Sequence, residues 1–254
     1  MEELKELKKF CKCLAEESGK IIRSYWRTDI KVDNKIDSSP VTIADKKSEE
    51  IMRELIMKEF PGHGILGEEF GEYNPDSEYQ WVLDPIDGTK SFICGTITFG
   101  TLIALMKNKE PIIGVINQPI FNDFLIGDNY SALLNGNPVH VRNCEKISDA
   151  VLLNTDILDI EEYQNKKGFD SLIHQVKLFR MWGDCYGYSL VATGYADIML
   201  DPVMNPWDLL ALIPVIKGAG GTITDYHGND PLKGNSIVAT GGLIHQTVIE
   251  IINQ

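Results

Sequence analysis

Hydrophobic residues recur at helical spacing near the start of the chain. Within residues 3–27 they stand three or four positions apart, which predicts one amphipathic helix, or two helices that break near Gly19. The polar, turn-rich stretch Lys31–Pro40 is predicted to be a loop. A second helix is predicted from Thr42 to the turn at Phe60-Pro61-Gly62, because proline and glycine interrupt helices.

The pattern then changes to short apolar runs of strand length. Strands are predicted at Ile65–Gly67 and Tyr79–Leu83, and the second is expected to stop at Asp84-Pro85 because proline cannot donate to a β-ladder. Later runs are rich in β-branched residues and separated by turn residues, which predicts an antiparallel meander. These runs are Thr98–Met106, Pro111–Gln118 and Phe124–Asp128.

The second half of the chain alternates strand-like and helix-like segments, which favours layered α/β packing. The predicted strands are Ala150–Asn154, Ile198–Leu200, Gly221–Asp225 and Ile237–Thr240. The predicted helices are Cys185–Gly194 and Trp207–Gly218. This change predicts two subdomains within one compact unit, residues 1–146 and residues 147–254.

Composition narrows the class of protein. The chain has 254 residues, 43% of them hydrophobic, which is enough for a globular core. Its 24 Lys and Arg against 37 Asp and Glu give a net charge of −13, which argues against a nucleic-acid partner. No apolar run approaches the roughly 18 residues of a membrane span. Because there is also no secretion signal and the five cysteines form no CxxC pair, we expect reduced thiols and a cytoplasmic protein.

Candidate chemistry concentrates in residues 84–89, DPIDGT. A buried strand would deliver Asp84, the proline turn would return Asp87 beside it, and Thr89 would begin a helix whose free N–H groups suit an anion. Two carboxylates beside an anion site repel each other unless a cation lies between them. Oxygen ligands favour Mg²⁺, with Mn²⁺ or Ca²⁺ as alternatives. A simpler interpretation is that Asp84 ends a strand and Asp87 caps a turn.

Three other segments place acids at a strand end or a helix start. Glu68 and Glu69 follow a short strand, Asp208 begins an apolar helix, and Asp45 begins the second helix. Each acid alone would be interpreted as a helix cap or a solvated charge. Together with the first pair, they fit a shared metal site.

These motifs together resemble the inositol monophosphatase superfamily. The resemblance rests on VTIAD at 41–45, GEE at 67–69, DPIDGT at 84–89, PWD at 206–208 and AGG at 219–221, in the family's order and over essentially the whole chain. It implies a magnesium-dependent phosphomonoesterase that acts on a small phosphate ester. It also implies an α+β fold, the layered αβαβα sandwich of the inositol monophosphatase and fructose-1,6-bisphosphatase type, and a homodimer.

The resemblance also assigns roles to individual residues. It implies two to three Mg²⁺ ions, which Mn²⁺ can replace. The implied metal ligands are Glu68, Asp84, the Ile86 carbonyl, Asp87 and Asp208. The amides of Gly88 and Thr89 are implied to receive the phosphate. Asp45 and Thr89 are implied to position and deprotonate the attacking water, and Glu68 is counted with them through a third ion. Water then attacks phosphorus directly, without a phosphoenzyme.

A second segment bears on the choice of phosphate ester. WGDCYGY at residues 182–188 resembles the histidinol-phosphate phosphatase branch of the superfamily. Histidinol phosphate carries an ammonium group and an imidazole, for which acidic side chains are suitable partners. The candidate substrate contacts are Asp184 and Asp201, with Gly183 and Cys185 beside them. Asn205 and Trp182 are candidates to flank the ring.

Alternatives remain open at this point. Asp184 is alternatively a helix cap, Asp201 a turn residue, and Lys35 either a mobile active-site lysine or a solvated charge; Tyr186 and Tyr188 are favoured as packing residues. The alternative functions are an inositol monophosphatase, a broad-specificity sugar or nucleotide phosphatase of the same superfamily, and a non-catalytic metal-binding protein.

Overall fold

A computed structural model describes residues 2–35 and 39–254 of the chain. The helices in these ranges are α1 Glu2–Tyr25, α2 Ile43–Glu59, α3 Thr89–Ile93, α4 Ile157–Tyr163, α5 Lys166–Gln175, α6 Asp184–Ala192, α7 Pro206–Leu209, α8 Leu212–Gly218 and α9 His245–Ile252. Short 3₁₀ turns lie at Ile147–Asp149 and Pro231–Lys233.

The strands form three sheets. They are β1 Val32–Asn34, β2 Pro40–Thr42, β3 Gly64–Gly67, β4 Gly71–Tyr73, β5 Tyr79–Asp87, β6 Gly100–Lys107, β7 Glu110–Gln118, β8 Asp123–Gly127, β9 Ala132–Leu134, β10 Asn137–Pro138, β11 Val151–Asn154, β12 Leu178–Arg180, β13 Ile198–Asp201, β14 Thr222–Thr224 and β15 Ile237–Thr240. Strands β1 and β2 pair with each other. The large sheet has the order β10-β9-β8-β7-β6-β5-β3-β4, and the small sheet the order β12-β11-β13-β15-β14.

The elements stack in alternating layers. Helices α1 and α2 pack on one face of the large sheet through an apolar cluster that includes Leu14 and Trp81. Helices α6 and α8 lie between the two sheets, and their buried side chains join the main core with residues of both. Helices α5 and α9 cover the outer face of the small sheet. The predicted αβαβα sandwich is therefore confirmed.

Several element predictions are also confirmed. The meander is present as β6, β7 and β8, which pair antiparallel in chain order. The first helix is single and continuous through Gly19. A Cβ at Gly19 would lie 3.1 Å from Arg23 Nη1 and 3.5 Å from the Pro119 side chain, so this glycine permits close packing and does not break the helix.

Other element predictions were wrong. The predicted loop Lys31–Pro40 contains β1 and the first residue of β2, while its residues 36–38 lie outside the described ranges. Strand β5 does not stop at Pro85 but continues to Asp87, with a shift of register against β6 between Asp84 and Asp87. The bulge accommodates the proline without ending the strand. The predicted helix Trp207–Gly218 is two helices, α7 and α8.

The two sheets occupy successive parts of the sequence. The large sheet uses residues 64–138 and the small sheet uses residues 151–240. The division into subdomains at residues 146 and 147 stays a prediction. Across the described ranges, each helix is too short or too polar to traverse a lipid bilayer.

Candidate active site

Three aspartates from distant parts of the chain meet at one point. One carboxylate oxygen from each of Asp84, Asp87 and Asp208 lies within 4.8 Å of the other two. The bulge in β5 turns the first two toward the same side, and α7 delivers the third from its first turn. Main-chain amides hold all three side chains. Ile86 N donates to Asp84 Oδ1 at 3.0 Å, and Asn205 N donates to Asp208 Oδ2 at 2.7 Å. Asp87 accepts its hydrogen bond from the amide of Cys185.

The three aspartates are buried close together, and the pKa of each is raised above its ordinary value. Burial raises the pKa of Asp84 well above its ordinary value, and the charges of Glu68, Asp87 and Asp208 raise it further. The pKa of Asp87 is likewise raised well above its ordinary value, by burial and then by Asp184 and Asp208. Burial raises the pKa of Asp208 to about 6. A divalent cation with oxygen ligands would relieve this repulsion, so the donor set fits Mg²⁺ chemically.

Glu68 lies beside the three aspartates and has its own partner. Lys35 Nζ is 2.7 Å from an oxygen of Glu68 and 2.7 Å from an oxygen of Glu69. Lys35 is therefore an ion-pairing residue at the cavity and not a solvated charge. The fully buried Glu49 supports this loop by accepting hydrogen bonds from the amides of Glu69, at 2.7 Å, and Phe70, at 3.2 Å.

Asp45 and Thr89 lie within reach of each other. The amide and hydroxyl of Thr42 both donate to Asp45 Oδ2, at 2.9 and 2.5 Å, so the side chain caps α2 as well. Thr89 Oγ1 is 3.3 Å from Asp45 Oδ1 and 3.1 Å from the carbonyl oxygen of Ile86. Burial raises the pKa of Asp45 in spite of the opposing hydrogen bonds from Thr42. The threonine hydroxyl is therefore within hydrogen-bonding distance of a buried carboxylate and of a main-chain carbonyl.

Gly88 allows a carboxylate to approach the main chain next to this pair. It adopts a left-handed conformation with φ +82°, and a Cβ there would lie 2.6 Å from Cγ of Asp184. The Asp184 carboxylate therefore lies directly against the Gly88 main chain. The next residue, Cys185, donates its amide hydrogen to Asp87 Oδ2 at 2.5 Å. The start of α6 is thus joined to the aspartate cluster.

Two adjoining cavities open at this point. The larger cavity has a volume of about 490 Å³, and Lys90 and Trp207 are among its lining residues. Its lining also includes ten residues that the sequence analysis singled out: Lys35, Glu68, Asp84, Ile86, Asp87, Gly88, Thr89, Asp184, Asn205 and Asp208. The smaller, about 110 Å³, shares Asp87, Asp184 and Asp208 with it and continues to Asp201 and Asp159. We call the smaller one the inner cavity.

The remaining predicted substrate residues have different positions. Asp201 is buried in the inner cavity, where Tyr188 donates its hydroxyl hydrogen to Oδ2 at 2.8 Å, and burial raises its pKa to about 6. Cys185 lines the same cavity. Gly183 and Trp182 are not among the residues that line these two cavities. Trp182, predicted to flank a substrate ring, instead lines a separate surface groove.

Sequence reasoning missed several residues that shape the site. Glu49 stands one helical turn after Asp45 on the buried face of α2, and an acid in a buried stripe is a signal that could have identified it. Asp159 lies on α4, a helix that was not predicted. Ser91 and Thr98 donate hydrogen bonds to Asp184, a contact that needs the three-dimensional structure.

Comparison with known proteins identifies the family of the chain. The model of the inositol monophosphatase family matches residues 3–254. The chain is 45% identical to a chloroplastic protein of Arabidopsis thaliana named bifunctional phosphatase IMPL2, over 232 residues that cover 89% of this chain and 67% of the relative. It is 37% identical to a histidinol-phosphatase of Chlorobaculum parvum over 242 residues, 94% of this chain and 93% of the relative.

A solved structure gives the same result. An inositol monophosphatase from Zymomonas mobilis superposes with a TM-score of 0.87 and 34% identity, covering 98% of both chains. The full-length family match, the level of identity and the shared fold agree with one another. The chain therefore belongs to the inositol monophosphatase family of metal-dependent phosphatases.

Proposed function

We propose that this chain is a magnesium-dependent phosphomonoesterase that hydrolyses histidinol phosphate. The observation that carries the proposal is the meeting of Asp84, Asp87 and Asp208 beside Gly88, with the carboxylate of Asp184 against that same glycine. The first three residues supply a cation site next to a phosphate, and the fourth supplies a negative charge where the organic part of the ester would lie.

The proposed metal ligands are all oxygen donors. Glu68, Asp84, the Ile86 carbonyl, Asp87 and Asp208 would hold two to three Mg²⁺ ions. When bound, the ions would offset the charge of the phosphate, lower the pKa of a water molecule and stabilise the leaving oxygen. The raised pKa values of Asp84 and Asp87 support this assignment, because a bound cation would offset the repulsion between these buried carboxylates.

The chain's own residues would then perform the remaining steps. The amides of Gly88 and Thr89 receive phosphate oxygens. Thr89 Oγ1 takes one proton from the attacking water and passes its own proton to Asp45 Oδ1, so the threonine stays neutral. The resulting hydroxide attacks phosphorus opposite the ester oxygen, which leaves and is protonated by solvent. Inorganic phosphate and an alcohol are the products, and no protein side chain becomes phosphorylated.

The choice of histidinol phosphate depends on the acids around the inner cavity. Asp184 faces both cavities, and Asp201 and Asp159 continue the acidic wall beyond it. These acidic side chains would stabilise a cationic leaving group through ion pairs. Beside a neutral polyol their charges would stay unpaired, which makes binding of the polyol less favourable. The sequence similarity to a histidinol-phosphatase supports the same choice.

The Asp184→Asn variant tests this choice of substrate. We expect the ratio of kcat/KM for L-histidinol phosphate to that for inositol 1-phosphate to fall by about 10- to 100-fold, since an ion-paired hydrogen bond contributes about 1.5–3 kcal/mol. The measurement is phosphate release from both esters at saturating Mg²⁺. A ratio equal to that of the wild type would contradict the assignment of Asp184.

The pKa of Asp208 predicts how acid affects the metal-free protein. Folding raises it from 3.8 to about 6, so the folded state holds the proton more tightly and becomes less favoured as pH rises through this window. With EDTA present, we expect the free energy of unfolding of the wild type to fall relative to that of Asp208→Asn between about pH 4 and pH 6. Urea unfolding of both proteins measures this difference, and parallel curves would contradict it.

Magnesium binding should show the opposite dependence on pH. The ion can bind only after the carboxylates lose their protons, so we expect Mg²⁺ affinity to weaken as pH falls below about 6. Calorimetric titration with Mg²⁺ at several pH values measures this effect. An affinity that does not change between pH 5 and pH 7 would contradict it.

A further inference from the structure

Two hydroxyl groups from outside α6 hold the carboxylate of Asp184. Ser91 Oγ donates to Asp184 Oδ2 at 2.5 Å, and Thr98 Oγ1 donates to the same oxygen at 2.7 Å. Thr98 Oγ1 also lies 2.9 Å from Ser91 Oγ. Ser91 therefore donates to Oδ2, and Thr98 has one hydrogen that it donates either to Oδ2, at the shorter distance, or to Ser91 Oγ. Within residues 2–35 and 39–254, the side-chain hydrogen bonds to this carboxylate all fall on Oδ2. Oδ1 is left for another partner.

The main chain of Asp184 is fixed as well. Its φ of +47° lies in the left-handed region, which residues other than glycine rarely adopt. Its amide donates to Thr155 Oγ1 at 3.0 Å. The backbone and one side-chain oxygen are therefore both held, and the residue still lines both cavities. Such a carboxylate is ready for a ligand without further ordering.

The partners that hold the carboxylate are neutral. Hydroxyl groups stabilise a negative charge without cancelling it, unlike a lysine or arginine. The charge of Asp184 thus remains available to a cationic group on the substrate. Its carboxylate also lies against Gly88, whose amide is a proposed phosphate contact. A cation that pairs with Asp184 must therefore be only a few bonds from the phosphate.

We infer that Ser91 and Thr98 are positioning residues that aim Asp184 Oδ1 at an ammonium group on the carbon adjacent to the phosphate-bearing carbon. This inference rests on the proposed function and specifies its substrate class as vicinal aminoalkyl phosphates. In L-histidinol phosphate the ammonium group occupies that position. In inositol 1-phosphate the corresponding carbon bears a neutral hydroxyl.

The test combines isosteric variants with a substrate that lacks the amine. Thr98→Val removes the hydroxyl and keeps the shape, and Thr98→Ser keeps the hydroxyl. Thr28→Val is the control, because it removes an exposed hydroxyl that donates to the Tyr25 carbonyl and lies outside this network. Each protein is assayed with Mg²⁺ on L-histidinol phosphate and on 3-(imidazol-4-yl)propyl phosphate, its analogue without the ammonium group. If Thr98→Val does not fold, Ser91→Ala removes the other hydroxyl that donates to Asp184 Oδ2 and tests the same contact.

We expect the wild type to prefer the substrate that has the amine. Thr98→Val and Ser91→Ala should reduce that preference by about tenfold, mainly through a higher KM for L-histidinol phosphate. Thr98→Ser should retain it, and Thr28→Val should not change it.

Two results would overturn the positioning role and leave the proposed function intact. One is a Thr98→Val protein with the wild-type preference, and the other is an equal loss on both substrates, which indicates a merely structural role. Failure of the wild type to prefer L-histidinol phosphate over inositol 1-phosphate would instead overturn the proposed function, and the inference with it.

Discussion

Replacement of Asp84 by Asn is expected to lower kcat/KM on the order of 10³-fold and at the same time to stabilise the metal-free protein. Asp84 is 2% exposed and lies beside Glu68, Asp87 and Asp208, so its carboxylate is a buried part of the negative charge that a cation would balance. A neutral amide would be a weaker ligand for a divalent cation than the carboxylate it replaces. It also removes a buried negative charge, which should raise the free energy of unfolding without metal by about 1–2 kcal/mol.

Activity and stability must be measured together to test this prediction. The assays are phosphate release at saturating Mg²⁺ and urea unfolding with EDTA. Asp76→Asn, an equal change of charge at an exposed turn, is the matched control and should affect neither. An Asp84→Asn protein that keeps turnover near the wild-type value, or that is less stable without metal, would contradict the assignment of Asp84 to the metal site.

Replacement of Asp45 by Asn is expected to reduce kcat by about 10²- to 10⁴-fold with little change in KM. Asp45 Oδ1 is the proposed acceptor of the Thr89 proton, and an amide cannot take that role. The fold should survive, because the amide oxygen can still accept the two hydrogen bonds from Thr42. The loss of activity would then report on proton transfer and not on the helix cap.

The pH profile and a control on the same helix distinguish these roles. Burial raises the pKa of Asp45, so its protonation should produce the acidic limb of the kcat profile in the wild type, and that limb should be absent from the residual activity of Asp45→Asn. Glu50→Gln makes the same change of charge on the exposed face of α2 and should behave as the wild type. An unchanged kcat for Asp45→Asn would exclude Asp45 as the base.

Much of the fold could be predicted from hydrophobic periodicity, because long elements repeat their pattern several times. Strands β6, β7 and β8 were identified from their β-branched runs. The strands β1, β4 and β12 escaped prediction because each has three residues and largely exposed or half-buried side chains. Gly19 shows that a glycine inside a helical pattern can serve close packing, which the sequence does not distinguish from a break.

Site residues that are close together in the sequence could be predicted, whereas contacts between distant segments could not. Asp84, Asp87, Gly88 and Thr89 stand within six residues of one another, so their motif could be recognised directly. The contact of Thr98 with Asp184 spans 86 positions, and a neutral hydroxyl takes the place of the charged partner that a sequence pattern would signal. The bulge after Asp84 was also missed, since a proline was expected to end the strand.

The most direct test of the account is the activity of the wild type on two esters. Phosphate release is measured from L-histidinol phosphate and from inositol 1-phosphate, with Mg²⁺ and after its removal by EDTA. We expect a kcat/KM at least about 100-fold higher for L-histidinol phosphate, and loss of both activities with EDTA until Mg²⁺ is restored. A preference for inositol 1-phosphate would contradict the role of the acidic inner cavity, and full activity in EDTA would contradict the metal site itself.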